Sequence, residues 1–348
     1  MPELHLDLRQ PWSQRVEARL CLTPRTNRLV VALPRWTPGS YLLREYVGQL
    51  EGLVVHQNGR ELSSRRITPF SWELELDTLE PLTIAYALQA TELTVRTAHV
   101  SAEHAFLPLA AVALQVDGER WSPHRLHLEL PSGWQPFVPL PQQSDGSWLA
   151  ADFDALIDSP LEAGPHPCHD FTVAGVPHRW VGWGGDLPVQ DPDWLADVER
   201  VCLACCQLMG VERPAADDYL FVLHLTEAGY GGLEHDNSTV LQFGRRRLRK
   251  PDGRRRLLQL VAHEYLHQWN VRRLRPAELA PIDYGQAVVV PTLWFAEGIT
   301  SYVDQLLPHA AGCCSAETVL SDLGEDLSRY LLSQGRAVQS LRSSSEEA

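Results

Sequence analysis

The sequence lacks the features of membrane, secreted and nucleic-acid-binding proteins. No apolar run approaches the roughly 20 residues that a membrane-spanning helix needs. The first seven residues include acids and contain no apolar core segment, so they do not resemble a signal peptide. Asp and Glu outnumber Lys and Arg by 44 to 30, and the net charge of −14 argues against nucleic acid as a partner. These absences predict a cytoplasmic protein that binds neither membranes nor nucleic acids, and they leave its oligomeric state open.

The cysteines show no sign of a disulfide or zinc-ribbon framework. There are 7 of them, an odd number, and they form no repeated C-x-x-C pairs. We therefore expect no second, structural zinc site. Reduced thiols in a reducing compartment are the simpler interpretation.

The first half of the chain has the alternation of half-buried β-strands. At 348 residues, of which 44% are hydrophobic, the chain is long enough for about two domains. Apolar and polar residues alternate at 16–22, 72–76 and 126–130. This period of two predicts antiparallel strands with one exposed face, and the Pro and Gly between them favour a β-sandwich. We assign residues 1–165 to this N-terminal domain.

The second half, residues 170–348, predicts a mixed α/β domain, so the whole chain is assigned to the α+β multidomain class. A cluster of Gly and Pro near 163–172 marks the boundary. Asp191 is the expected N-cap of a helix that lasts to Gly210. Strands are expected at 219–225 and 239–243, and further helices at 256–271, 293–307 and 315–332. The last helix has an apolar stripe formed by Leu320, Leu323, Leu327 and Leu331.

A run of basic residues precedes the first of these three helices. Residues 245–256 include seven arginines and Lys250, with a turn predicted at Pro251-Asp252-Gly253. We expect a solvated loop here, and a patch for an acidic partner is the alternative.

The most informative motif is His263-Glu264-Tyr265-Leu266-His267, which has the HExxH pattern. On a helix, residues four apart share a face, so His263 and His267 can reach one metal ion. Glu264 then lies beside the metal, where it can take a proton from water. The surrounding residues are apolar on nearly every face, which predicts a buried helix. Two core histidines with local hydrogen bonds are the alternative.

A third metal ligand is expected downstream, because catalytic zinc sites usually have three protein ligands. Glu297 is a single acid in an apolar stretch that predicts a helix with Thr292 as N-cap. Asp304, seven residues later, falls on the same helical face and can accept a hydrogen bond from a ligand histidine. The alternatives are a Glu297 paired with an arginine and an exposed Asp304.

Four segments of the chain carry a family resemblance. In chain order, they are WTPGSY, GYGGLEH, HEYLHQWNVRRLRP and LWFAEGITSY. Together they resemble the glycyl aminopeptidases, a family of zinc peptidases of the gluzincin type that usually have a PDZ domain. The resemblance implies that His263, His267 and Glu297 bind one zinc ion per chain, with Glu264 as general base. It also implies peptide substrates with small first residues such as Gly or Ala. The order of a small sheet, the HExxH helix and the Glu297 helix suits a thermolysin-like catalytic domain.

The resemblance also implies a substrate-binding segment at Gly231, Gly232 and Glu234. In related zinc aminopeptidases the glutamate at this position binds the free α-amino group, and glycines allow the peptide to approach the backbone closely. From the residues alone, a Gly-rich turn with a solvated glutamate is the alternative.

The family extends beyond the last residue of this sequence. Related enzymes have an oxyanion-stabilising tyrosine downstream of the third ligand, and neither Tyr302 nor Tyr330 matches it. The C-terminal part is therefore expected to be incomplete relative to the family. Two other functions stay open: a zinc endopeptidase, and a catalytically impaired fragment that binds peptides.

Overall fold

The structure is a computed structural model that describes residues 1–348. It divides into two compact units. The first comprises Met1–His166 with Tyr284–Ala287, and the second comprises Pro167–Asp283 with Val288–Ala348. None of the helices combines the length and the apolar character needed to cross a membrane.

The first unit is rich in β-structure and contains three sheets. Their strand orders are β15-β13-β1-β2-β8-β4-β5, β14-β16-β11-β10-β9 and β12-β3-β7-β6. The unit also contains the short helix α1 (Phe153–Ile157). The strands are β1 (Glu3–Asp7), β2 (Arg15–Leu22), β3 (Arg28–Ala32), β4 (Leu50–Gln57), β5 (Arg60–Leu62), β6 (Ser64–Thr68), β7 (Ser71–Glu75), β8 (Leu82–Gln89), β9 (Thr91–Thr94), β10 (Thr97–Val100), β11 (Ala105–Pro108), β12 (Gln115–Val116), β13 (His124–Glu129), β14 (Gln135–Phe137), β15 (Trp148–Ala150) and β16 (Pro160–Gly164).

The predicted alternation is confirmed in β2, where Val16, Ala18, Leu20 and Leu22 are buried and the residues between them face outward. The prediction of a purely antiparallel sandwich is wrong in two respects. The unit has three sheets, and β1 pairs with β13 in parallel. The alternation predicts which face of a strand is buried, but it carries no information about strand direction.

The second unit contains a five-stranded mixed sheet with helices. The strand order is β17-β18-β19-β21-β20, in which β18, β19 and β21 run parallel and the two edge strands run antiparallel to their neighbours. The strands are β17 (Cys168–Val173), β18 (Val176–Trp183), β19 (Tyr219–Thr226), β20 (Tyr230–Glu234) and β21 (Ser238–Gly244). The α-helices are α2 (Trp194–Leu208), α3 (Arg245–Leu248), α4 (Gly253–Leu266), α5 (Thr300–Val303), α6 (Leu307–Ala310), α7 (Ala316–Leu332) and α8 (Leu341–Glu346), with a π-helix at Trp294–Ile299.

The HExxH helix α4 is held in the core of this unit by its apolar side chains. Tyr265 stacks on Phe221 of β19, with ring centroids 5.8 Å apart. The Tyr265 hydroxyl donates to Nε2 of His178 on β18 at 2.8 Å, because the other ring nitrogen of His178 faces the Val176 carbonyl. These contacts fix the rotation of α4 about its axis, and with it the direction in which the motif points.

Several helix boundaries differ from the predictions, including the start of α4 at Gly253 and the end of α5 at Val303. Helix α2 begins at Trp194, with Asp193 as its N-cap position. Helix α4 ends at Leu266, earlier than the predicted 271, because the chain tightens into turns in which Gln268 N–H bonds to the Tyr265 carbonyl. The Glu297 helix begins as a π-helix whose N-cap position is Leu293, so Thr292 is not the cap.

Helix α7 follows the predicted range, with Ser315 as N-cap accepting from the Thr318 N–H. Its buried side differs from the predicted stripe, since Leu320 is 68% exposed and Leu327 is 57% exposed. The helix is held instead by Asp322, which forms ion pairs with two arginines of α4, Arg255 and Arg256.

The basic run at 245–256 is not a free loop. It forms α3 and the first turn of α4, and its arginines pair with acids of the same unit. Arg254 bonds to Asp197 of α2, and Arg245 bonds to Glu227. These ion pairs offset part of the positive charge of the run within the second unit.

Candidate active site

Two imidazoles and one carboxylate converge at the C-terminal end of α4. Nε2 of His263 lies 3.4 Å from Oε2 of Glu297, and Nε2 of His267 lies 3.6 Å from the same oxygen. Ligand atoms around a tetrahedral ion with bonds of about 2.1 Å are separated by roughly 3.4 Å. The spacing of these three donors is therefore that of a His₂Glu metal site, and Glu297 pairs with the two histidines rather than with an arginine.

His263 is oriented by a chain of hydrogen bonds on its far side. Its Nδ1 lies 2.8 Å from Oδ2 of Asp304, so the Nδ1–H donates to this carboxylate and Nε2 faces the metal position. The second oxygen of Asp304 accepts from Gln259 Nε2 at 2.7 Å. Asp304 lies where the sequence predicted it, and it is buried rather than exposed. Gln259 was not predicted, although it lies one helical turn before His263.

His267 is oriented by a residue that the sequence analysis missed. Its Nδ1 donates to the Asn270 carbonyl at 2.5 Å. The Asn270 side chain donates to the Ala296 carbonyl at 3.2 Å and to Thr300 Oγ1 at 3.0 Å. Asn270 therefore connects the turn after α4 to the π-helix that bears Glu297. A polar residue three positions after the second histidine is the only signal of this role in the sequence.

The π-helix places Glu297 and Asp304 on both sides of one imidazole. The wide turn Trp294–Ile299 is followed directly by α5, which ends at Val303 with Asp304 as its C-cap. Glu297 faces Nε2 of His263 and Asp304 faces its Nδ1. Single π-turns of this type occur frequently at functional sites, where they shift a side chain by one position relative to the α-helical register.

Glu264 and Gly232 are in close contact. A Cβ atom at Gly232 would lie 2.1 Å from Oε1 of Glu264, so only glycine fits here. Glu264 is buried, and its Oε2 has no hydrogen-bond partner. A buried carboxylate oxygen without a donor is costly unless a bound group satisfies it. Strand β20 and helix α4 therefore pack closely around the carboxylate of Glu264.

Glu234, at the end of the same strand, brings a second buried carboxylate to the site. The ligand atoms of Glu234, Glu264 and His267 all lie within 4.8 Å of one another. Oε1 of Glu234 is buried and has no hydrogen-bond partner. The alternative of a solvated glutamate in a turn is therefore wrong, since Gly231, Gly232 and Glu234 lie on the edge strand β20.

Two family profiles match the chain. The profile described as the peptidase M61 N-terminal domain matches residues 3–165, and that described as M61 glycyl aminopeptidase matches residues 256–348. The chain belongs to the M61 glycyl aminopeptidase family. No curated protein is similar enough to the chain to count as a match.

Solved structures resemble this M61 chain to different extents. An aminopeptidase N family protein from Idiomarina loihiensis has a TM-score of 0.95 and 30% identity, and the match covers 100% of the M61 chain and 61% of that chain. The M61 chain thus spans about three fifths of this relative's length. A mutant M1 zinc metallopeptidase from Deinococcus radiodurans has a TM-score of 0.56 and 16% identity, covering 94% and 74% of the two chains. Legionella pneumophila aminopeptidase A in complex with aspartic acid has a TM-score of 0.54 and 14% identity. The match covers 88% of the M61 chain and 37% of the Legionella chain. At these two lower identities the likeness shows the fold alone.

The electrostatics of the M61 site favour a bound cation. Burial opposes protonation of His263, but its hydrogen bonds to Asp304 and Glu297 raise its pKa well above the usual value. Burial also opposes a charge on His267, yet Glu234 and Glu297 raise its pKa to about 9. The carboxylates thus stabilise positive charge at the imidazoles. Together with the His₂Glu donor set, this shows that the residues fit a zinc ion.

Burial has the opposite effect on the neighbouring glutamate. It raises the pKa of Glu264 to about 7, opposed by His263 and His267 and assisted by the nearby Glu234. A second cation at this position, such as an ammonium group, would relieve the repulsion between the two buried carboxylates.

A polar cavity of about 520 Å³ adjoins the site behind the His263–Asp304 pair, because Gln259 contributes to its wall. Tyr302 and Tyr330 are both more than half exposed, and the structure assigns neither to the site. The cavity is lined by Tyr230, Arg247, Arg256, Gln259, Gln305, Glu325, Asp326 and Arg329.

Proposed function

We propose that this protein is a zinc-dependent aminopeptidase that hydrolyses the N-terminal peptide bond of peptide substrates. The observation that carries the proposal is the position of Glu234. Its carboxylate lies within 4.8 Å of Glu264 and His267, next to a His₂Glu donor set, and one of its oxygens, Oε1, is buried without a hydrogen-bond partner. An endopeptidase needs the metal site and the base but has no use for this second carboxylate.

In this proposal His263, His267 and Glu297 hold one zinc ion per chain, and the second unit is a thermolysin-like catalytic domain. Zinc bound there supplies Lewis-acid chemistry, since it lowers the pKa of a water molecule and polarises the carbonyl that is attacked. Asp304 and Asn270 hold the two imidazoles in the tautomer that directs each Nε2 towards the metal position.

Glu264 is the general base. Its carboxylate accepts a proton from the attacking water and passes it to the nitrogen of the leaving amine. Its burial and its contact with Gly232 hold the carboxylate in one position, which general base catalysis requires.

Glu234 anchors the substrate by its free α-ammonium group. A charge-assisted hydrogen bond to this buried carboxylate holds the chain end at a fixed distance from the metal, so that the first peptide bond is the one cleaved. The glycines of β20 allow the substrate backbone to lie close to the edge strand. The preference for small first residues, Gly or Ala, is implied only by the resemblance to the family, whose description names a glycyl aminopeptidase.

We also propose a reducing, cytoplasmic location, because all seven cysteines are free thiols.

The test is hydrolysis of one alanyl peptide by the zinc-loaded protein, with its amine free and then acetylated. We expect cleavage of the free form only. Cleavage of both forms at similar rates would identify an endopeptidase. Cleavage of neither form, with one zinc ion bound, would identify a peptide-binding protein without turnover.

A further inference from the structure

A second set of metal-ligating side chains lies on the partly exposed face of the seven-stranded sheet in the first unit. His5 of β1 and His127 of β13 are directly opposite each other in the parallel pair, and Glu3 is two residues before His5 on the same face. In a parallel pair, side chains in register point to the same side of the sheet. The topology therefore brings two imidazoles and one carboxylate together from two strands whose paired residues are 122 positions apart in the sequence.

The donor atoms have nearly the spacing of the catalytic cluster. Nε2 of His127 lies 3.5 Å from Oε2 of Glu3, and Nε2 of His5 lies 3.8 Å from the same oxygen. The corresponding distances to Glu297 at the active site are 3.4 and 3.6 Å. One ligand atom from each of Glu3, His5 and His127 lies within 4.8 Å of the others.

The arrangement of the rings argues against a pair of charged histidines. The two imidazoles stack with centroids 4.3 Å apart and an angle of 5° between their planes, a geometry in which two imidazolium ions would repel. Nε2 of His127 is enclosed and has no hydrogen-bond partner. Neutral imidazoles with Nε2 directed at one carboxylate oxygen have the form in which histidine binds metals.

The two arginines next to this cluster form ion pairs with acids other than Glu3. Arg125 is opposite Glu3 in the register, but its guanidinium bonds to Asp145 at 2.6 Å. Arg19 is opposite His5 on the other side and pairs with Glu129 at 3.4 Å. The carboxylate of Glu3 therefore faces the two histidines.

We propose that Glu3, His5 and His127 form a second metal site, which binds one divalent transition-metal ion of the zinc, nickel or copper class. Its ligand set is His₂Glu, and its outer side is open to solvent, because the three side chains are 28 to 40% exposed. A bound ion would add a cross-link between β1 and β13, which are already paired in the sheet.

The experiment is a count of bound zinc after equilibrium dialysis of the intact protein, compared with the variants H127N and H5N. We expect two equivalents of zinc in the wild type and one in each variant, with hydrolysis of the alanyl peptide unchanged. H56N is the matched control, because His56 is an isolated, exposed histidine on β4 of the same sheet. This control should keep two equivalents.

Thermal unfolding provides a second measurement. An ion that binds only the folded state raises the melting temperature. Zinc added beyond one equivalent should therefore raise the melting temperature of the wild type and of H56N, but not of H127N. For E3Q we expect the affinity of the second site to fall about tenfold or more. A wild type and an H127N variant that bind equal amounts of zinc would overturn the proposal. Failure of the proposed catalytic zinc site would instead lower the count equally in the wild type and in every variant, so the two failures are distinguishable.

Discussion

The α-carbon of Gly232 lies against the carboxylate of Glu264, and no side chain larger than hydrogen fits between them. The first prediction follows from this contact. In G232A, a methyl group 2.1 Å from Oε1 must displace the glutamate or the edge strand. Because a misplacement of about 1 Å can lower the rate about 100-fold, we expect kcat/KM to fall by about that factor.

The control for this variant is G185A. A Cβ atom at Gly185 meets nothing within 4 Å, so this alanine should be tolerated. Hydrolysis rates and zinc content are measured for both variants. If G232A retained wild-type kcat/KM, the close contact with Glu264 would have no part in catalysis.

The second prediction concerns the general base. E264Q keeps the size of the side chain and leaves His263, His267 and Glu297 intact, so zinc binding should be retained. Hydrolysis should fall by a factor of about 100 to 10,000, because the amide cannot accept the proton of the attacking water. Zinc content by atomic absorption and initial rates check the two parts separately. Near wild-type rates in E264Q would remove Glu264 from the mechanism.

The third prediction concerns the anchoring carboxylate. In E234Q the α-ammonium group loses its charged partner, so KM for a free alanyl peptide should rise by about tenfold or more. Binding of the N-acetylated peptide, measured as competitive inhibition, should change little. Equal weakening of both peptides would show that Glu234 acts through the general structure of the site and not on the amine.

The fourth prediction concerns the acid that orients His263. In D304A the Nδ1–H of His263 and the amide of Gln259 lose their acceptor. We expect zinc affinity to fall by about 10- to 100-fold. D326A is the control, because Asp326 bonds to Gln305 rather than to a ligand histidine. Unchanged zinc affinity in D304A would contradict the positioning role.

The fifth prediction is a pH dependence of stability that comes from His178. This histidine is buried between the Val176 carbonyl and the Tyr265 hydroxyl, and burial lowers its pKa from 6.5 to about 4. Between these two pH values the unfolded chain binds a proton that the folded chain does not. The free energy of unfolding should therefore fall as the pH drops from 6.5 to 4, by up to about 3 kcal/mol from this group.

H178Q tests this prediction, because glutamine can keep both hydrogen bonds and does not titrate. Urea unfolding at several pH values should show a shallower loss of stability in H178Q than in the wild type, and the contributions of other groups cancel in the comparison. Parallel curves for the two proteins would assign the pH dependence to groups other than His178.

Local sequence patterns predicted much of this site. HExxH implies two histidines on one helical face, and the structure brings them to one carboxylate. The seven-residue spacing predicted that Glu297 and Asp304 share a helical face and that Asp304 accepts from one ligand histidine. Both carboxylates contact His263, even though the backbone between them is partly π-helical. Alternation likewise predicted the buried face of β2. These features depend on residues close together in the chain, where the helical and strand periods apply directly.

Other features required the tertiary structure. Asn270 orients His267 through the π-helix about 26 residues away, and no local period relates these positions. Glu234 approaches Glu264 because β20 lies at the sheet edge beside α4. The parallel pairing of β1 and β13 places His5 beside His127. The sequence by itself determined which residues share a helical or strand face, because that depends on backbone geometry. The partners of those faces were decided only by long-range packing, since burial and hydrogen bonding select among many pairings that have the same local pattern.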